Sequence, residues 1–265
     1  MNPRPLEIST LTKSFPTSSG VFVAIRDFRA AIAPGEFVAL MGNPGCGKSV
    51  LLSVIAGMEQ ATEGGIILDG REISGPGLDR AVVYPEVHLL PWMSVRDNVA
   101  LAVNRVHPQR SRRELEILAG HWLETVGAAD WGVRMPAELP PGMPERVALA
   151  KALATEPRFL LLDDPFRRLD AGKRRELQDE LQRVCEREEK TLLLATHDVD
   201  EALYLSDRVL LMTNGPESHL GLALQVPLAR PRSRRVALED PEHARMREEV
   251  VGFLAAQGAA FIHAA

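Results

Sequence analysis

Gly42-Asn43-Pro44-Gly45-Cys46-Gly47-Lys48-Ser49 lies between an apolar run, Glu36-Phe37-Val38-Ala39-Leu40-Met41, and an apolar helical pattern from Val50 to Ala56. A strand that ends in a glycine-rich turn and opens a helix aims several backbone N–H groups at one spot, where the helix dipole also favours an anion. Gly42, Gly45 and Gly47 supply the dihedrals, Lys48 a charge for β- and γ-phosphates, and Ser49 a hydroxyl for Mg²⁺. Asn43, Pro44 and Cys46 complete the eight-residue cradle. A chance glycine turn would not carry all these positions in a strand-turn-helix context.

Working outward, the 265 residues are 45% hydrophobic and 25% charged, which fits one globular α/β domain with appendages or at most two small domains. No run approaches the ~18 to 20 apolar residues of a membrane span, and the first residues lack a secretory pattern. The expectation is a cytoplasmic chain. Two cysteines, Cys46 and Cys185, make neither a disulfide framework nor a zinc site. A net charge of −5 argues against nonspecific nucleic-acid binding, and the local run Arg230, Arg232, Arg234 and Arg235 reads as solvated surface.

Upstream of the loop, Leu6 to Leu40 reads as short β-type runs broken by Pro16, Ser18-Ser19-Gly20 and Pro34-Gly35. Phe15 lies in the first break; it could stack on a base or close a hairpin core, and the pattern alone favours the core. Downstream, Gly64 to Gly70 reads as a strand ended by a turn, and Ala81-Val82-Val83-Tyr84 as a buried strand stopped by Pro85. The composition then turns helical between Glu86 and Pro157, with Ser111 and Glu114 forming a capping box for a helix running to about Val126. Phe159-Leu160-Leu161-Leu162 reads as a buried strand ending in Asp163-Asp164. At such a strand end one carboxylate can hold the Mg²⁺ shell and a neighbour can orient water. Arg174 to Arg187 is an amphipathic helix, and Thr191 to Thr196 another buried strand, followed by His197-Asp198. Alternating strands and helices imply a mostly parallel sheet, whose ligands gather at carboxyl strand ends, so Gly42, Asp163 and His197 are expected at one crevice. The tail is rich in Pro and Arg after Pro216, then helical from Pro241 to about Phe253.

These residues resemble the ATP-binding subunits of ABC transporters, and within them the nitrate/sulfonate/taurine importer group. The resemblance covers almost the whole chain. Beyond the loop it includes Gly65-Ile66-Ile67-Leu68-Asp69-Gly70, Leu89-Leu90-Pro91-Trp92 with Val95-Arg96-Asp97-Asn98-Val99, and Arg146-Val147-Ala148-Leu149-Ala150. It continues through Asp163-Asp164-Pro165-Phe166, Leu169-Asp170 and Thr196-His197-Asp198, and the stretch from Leu205 to Pro216 with Pro227 to Arg232 is most like nitrate-type subunits. The implied fold is a phosphate-loop α/β domain over residues 1–240, with a mostly parallel core sheet, an antiparallel β subdomain and an inserted helical subdomain at about 86–157. A helical extension would follow at 241–265. The resemblance implies that Phe15 stacks on adenine, Lys48 and Ser49 handle the phosphates and Mg²⁺, and Asp163 supports the metal. His197 would contact the γ-phosphate, Asp170 would couple the two sites of a head-to-tail dimer, and the signature loop around Gly142 would meet the partner's ATP. The Leu89 to Asn98 segment resembles the wall of the groove that receives a permease.

Four residues, in three stretches, depart from the family pattern. Its glutamine after the apolar strand is Pro85 here, which has no side-chain amide. Where similar chains read Leu-Ser-Gly-Gly-Met or Leu-Ser-Gly-Gly-Gln, this one reads Leu139-Pro140-Pro141-Gly142-Met143, losing a hydroxyl and a backbone N–H. The glutamate that orients water is Asp164, whose carboxylate retreats by about one carbon–carbon bond, ~1.5 Å. The expectation is an importer ATPase subunit for a small anion, slow by itself, lying on the inner membrane face. Its expected partners are the permease subunits, a second, intact ATP-binding paralogue in a heterodimer and, indirectly, a periplasmic solute-binding protein. The alternative is a non-hydrolytic or regulatory partner of that paralogue. A phosphate-loop kinase, or an ABC-type protein without a permease, leaves the groove segment and the tail without a role.

Overall fold

The computed structural model describes residues 4–18, 20–230, 232–234 and 240–262, with the backbone alone for 259–262; Arg235 of the basic run lies outside them. Two compact units result, one containing the chain up to Gly77 and again from Thr191 onward, the other Leu78–Lys190.

The first unit opens with a long hairpin, β1 (Leu6–Thr17) against β2 (Gly20–Ile32), paired from Leu6 opposite Ile32 to Thr17 opposite Gly20 with register shifts between Ile8 and Ser14. The short broken runs read from the sequence are therefore two continuous strands. Pro16 does not break β1 because the pairing of β1 with β4 ends at Thr12 opposite Glu63, so the tip of β1 has a free edge where proline is tolerated. Leu6, Ile8, Leu11, Ile25, Phe28 and Ile32 bury the inner face. Next comes β3 (Phe37–Met41), buried along its whole length as a strand covered on both faces must be. It delivers the chain to α1 (Lys48–Ile55), after which β4 (Glu63–Leu68) and β5 (Arg71–Glu72) complete an antiparallel sheet in the order β2-β1-β4-β5.

The second unit begins with β6 (Arg80–Val83) and continues through α2 (Val95–Val106), α3 (Arg112–Thr125) and α4 (Met143–Leu153). It closes with β7 (Phe159–Asp163), parallel to β6, and α5 (Ala171–Arg187). The expected capping box is present: Ser111 Oγ accepts from the Glu114 N–H, and the Glu114 carboxylate accepts from the Ser111 N–H. Asn98 is fully buried and wires the preceding loop, accepting from the Leu90 N–H at 2.7 Å and donating to the carbonyls of Leu90, Met93 and Ser94.

The chain then returns to the first unit as β8 (Thr191–Ala195), α6 (Val199–Leu205), β9 (Arg208–Met212), β10 (Leu220–Gln225) and α7 (Pro241–Ile262). There the strands run β10-β9-β3-β8, with β3 parallel to both β8 and β9 and β10 antiparallel to β9. Helix α7 extends nine residues past the expected end at Phe253, through an alanine-rich segment of high helix propensity. Met246 and Val250 on α7 are buried with Ala39, Met41, Leu203 and Leu211. Each of these Met, Leu and Val side chains contributes about 1.5–3 kcal/mol.

Candidate nucleotide site

The phosphate loop leaves the buried end of β3 and turns into α1 through Gly47, whose φ of 96° only glycine adopts without strain. The first N–H groups of a helix have no partner within it, and α1 therefore presents its leading amides toward the loop; the Leu51 N–H already reaches the Gly47 carbonyl at 2.9 Å. The floor of the loop is tight. A Cβ on Gly42 would lie 2.5 Å from Cys46 Sγ and 3.2 Å from Met212. At Gly45 the opposite holds, because a Cβ there would meet nothing within 4 Å. Lys48 folds back onto the start of the loop, its Nζ donating to the Gly42 carbonyl at 2.7 Å and to the Asn43 carbonyl at 3.3 Å. Ser49 is exposed beside it. Convergent amides, an ammonium and a roomy open side form a donor set that fits a polyphosphate.

His197 belongs to the same unit and is exposed just beyond β8, the strand paired with β3 in parallel register. Phe15 sits within β1 opposite Phe22 rather than in a break, half-buried, with Lys13 Nζ 4.7 Å from its ring centroid. One face of that ring already carries a cation.

The acidic and signature residues lie in the second unit. Asp163 ends β7, half-buried, and its charge is the lesser of two causes that push the Tyr84 phenol above its ordinary value, burial being the larger. Asp164 follows with a φ of 46°, a left-handed conformation that aspartate tolerates better than most residues, and its carbonyl accepts from the Arg167 N–H at 3.3 Å. Pro85 lies just after β6. Gly142 starts α4 with a φ of 91°, and a Cβ there would lie 2.7 Å from Lys173 Cδ. Lys173 is in turn held by Asp170, its Nζ 3.0 Å from Oδ2, while Asp170 Oδ1 caps α5 by accepting from the Lys173 N–H. That backbone bond leads the causes that hold the Asp170 carboxyl below its usual range. Pro140 and Pro141 offer no N–H, and the Met143 N–H is bound to the Pro140 carbonyl at 3.1 Å.

Residues 25–167 match the family described as ABC transporter. The chain belongs to that family. It is 46% identical over 249 residues to the nitrate import ATP-binding protein NrtD of Synechococcus elongatus, covering 94% of this chain and 91% of that one. It is 39% identical over 249 residues to the bicarbonate transport ATP-binding protein CmpD of a Synechocystis species, covering 94% and 88%. The fold is also that of a dimeric post-hydrolysis structure of the ATP-binding cassette MJ0796 bound to ADP and Pi, with a TM-score of 0.76, 24% identity, and 84% and 100% coverage. An α/β phosphate-loop architecture and nucleotide binding follow from membership of the ABC family.

Two features of this ABC chain escape a reading of its sequence. Lys173 overlies the signature glycine from 31 positions downstream, and nothing in the Ala171-Gly172-Lys173 stretch signals that contact. Asn43 is bonded to Asn214, 171 residues away. Among the described residues, no three His, Cys, Asp or Glu side chains are grouped to hold a metal ion, and no helix is long and apolar enough to cross a membrane. The Ser49 hydroxyl in the first unit and the Asp163 carboxylate in the second are each an oxygen donor of the type Mg²⁺ takes.

Proposed function

We propose that this chain is the ATP-binding subunit of an ABC importer for a small inorganic anion of the nitrate or bicarbonate kind, binding MgATP firmly and hydrolysing it slowly when alone. The observation that carries this reading is the complete phosphate loop, Lys48 and the amides of α1 included, in a chain 46% identical to NrtD. The anion class rests on the names of its relatives. Sulfonate and taurine belong to the wider group that the motifs resemble.

In this reading Lys48 neutralises β- and γ-phosphate oxygens, and the amides of the loop and α1 hold them in place. Phe15 receives the adenine, and His197 contacts the γ-phosphate. Ser49 and Asp163 would hold Mg²⁺, which would supply neutralisation of the phosphate charge. Asp164 orients water from a carboxylate about one bond length too short, and a displacement of ~1 Å can cost roughly a hundredfold in rate. Pro85 provides no amide to assist it.

These departures divide into two kinds. Asp164 and Pro85 act on the ATP held by this chain's own loop, whereas Pro140 and Pro141 act on the ATP held by a partner. A homodimer would carry both kinds in each of its sites, and a heterodimer with an intact paralogue would separate them. The heterodimer is therefore favoured, seated on permease subunits at the inner face of the membrane and served indirectly by a periplasmic solute-binding protein. In this reading residues 1–240 are its ATPase domain and the helix Pro241–Ile262 its C-terminal extension. A second reading, in which the chain binds nucleotide and never turns it over, is favoured by the same prolines. Titration with MgATP followed by a steady-state assay of the purified chain tests both: tight binding with slow turnover supports the first, no turnover even beside its paralogue supports the second. Absence of binding sinks both.

A further inference from the structure

Asn43, the second residue of the phosphate loop, is tied to the C-terminal helix. Its Nδ2 donates to Asn214 Oδ1 at 3.0 Å and to the Leu254 carbonyl at 3.3 Å. Asn214 passes the connection on, donating from Nδ2 to the Gln257 carbonyl at 2.8 Å and from its backbone N–H to Gln257 Oε1 at 3.3 Å. Two carbonyls of α7, three residues apart, thus hold the loop through two side-chain amides. The helix is itself firmly seated, by Met246 and Val250 in the core and by Phe253, which packs so closely on β10 that a Cβ on Gly221 would lie 2.5 Å from its Cζ. Beside this relay the outer flank of the loop borders a cavity of about 460 Å³ lined by Phe22, Pro44, Gly45 and Pro216 among others.

We propose that α7 is a brace that sets the affinity of the phosphate loop for nucleotide, with Asn214 as its positioning residue. A loop with glycine at three of eight positions loses much conformational freedom when its amides must converge on phosphate. Fixing Asn43 beforehand removes part of that loss, which is the general route by which preorganisation strengthens binding. The coupling is reciprocal: nucleotide that orders the loop also stabilises the docking of α7. This inference rests on the loop being the nucleotide site.

The test uses the full chain, with MgATP as the titrant in calorimetry and amide hydrogen exchange read over residues 250–258. Asn214→Ala is expected to weaken MgATP binding about tenfold while the melting temperature of the nucleotide-free chain stays close to that of the wild type. MgATP is expected to slow exchange in α7 of the wild type and to lose that effect in Asn214→Ala, a readout that a merely structural role would not move. Should Asn214→Ala fold poorly, Gln257→Ala removes one hydrogen bond only and is expected to weaken binding about threefold. Binding within experimental error of wild type in the variant that folds, or α7 exchange indifferent to MgATP in the wild type, overturns the brace and leaves the loop reading intact. A wild-type chain that binds no MgATP overturns the loop reading, and the brace with it.

Discussion

Two helices in this chain start from a left-handed glycine, α1 at Gly47 with φ 96° and α4 at Gly142 with φ 91°. Their backbones turn alike, and their surroundings differ. Ahead of α1 the loop ends in an open cradle with an ammonium folded back onto its start. Ahead of α4 stand two prolines without N–H groups, and Lys173 lies over the glycine, tied to Asp170. The shape of a helix start is therefore cheap to retain, while its donors are what function requires. In this chain the start of α1 keeps its backbone donors, whereas two of the residues just ahead of α4 carry none.

Lys48→Ala should produce the largest change, removing the charge at the intact start; the expected loss in MgATP affinity is about 4 kcal/mol, or roughly a thousandfold, by calorimetry. Unchanged affinity would break the comparison at its stronger end. Rebuilding the other start with Pro140→Ser and Pro141→Gly, together with Asp164→Glu, should raise steady-state ATPase turnover about a hundredfold with little change in binding. If turnover stays flat, donor supply is not what limits the chemistry. Gly47→Ala and Gly142→Ala form a matched pair. Each imposes a side chain on a left-handed residue and should cost about 1–2 kcal/mol in urea denaturation. Only Gly47→Ala should also weaken nucleotide binding, so equal binding defects would erase the distinction.

A third helix start gives the smallest and most sharply signed effect. The Glu114 carboxyl that closes the box on α3 is held down at about 2, first by the Ser111 N–H, then by Arg110 and the Ser111 hydroxyl. A depressed folded value stabilises the protein above the unfolded value near 4.5, and the contribution fades as pH falls toward 2. Wild type should therefore melt slightly above Glu114→Gln at pH 6, with the gap closing by pH 2; a gap that widens on acidification would contradict it. Because the group is exposed, the difference should be modest and salt-sensitive.

Local chemistry was legible in the sequence. The strand-turn-helix around the loop, the capping box at Ser111 and Glu114, and the buried strands β3, β7 and β8 each follow from residues adjacent in the chain. Pro16 misled because a proline's effect on a strand depends on whether a neighbour needs its N–H, which is a fact about β4 and not about β1. The left-handed φ of Asp164 and the cover that Lys173 gives Gly142 were equally out of reach, since both are set by packing. So was the link from Asn43 to Asn214 and Gln257, because side-chain amides carry no periodicity that pairs them across 171 residues.

The thiol in the floor of the phosphate loop has a practical consequence. Cys46 is only 1% exposed, and Cys185 on α5 only 2%. An alkylating reagent can reach either sulfur only while its surroundings are momentarily open. The molecule thus comes with two built-in clocks, one in each compact unit: the rate at which Cys46 is labelled times the breathing of the loop floor, and Cys185 keeps time for α5.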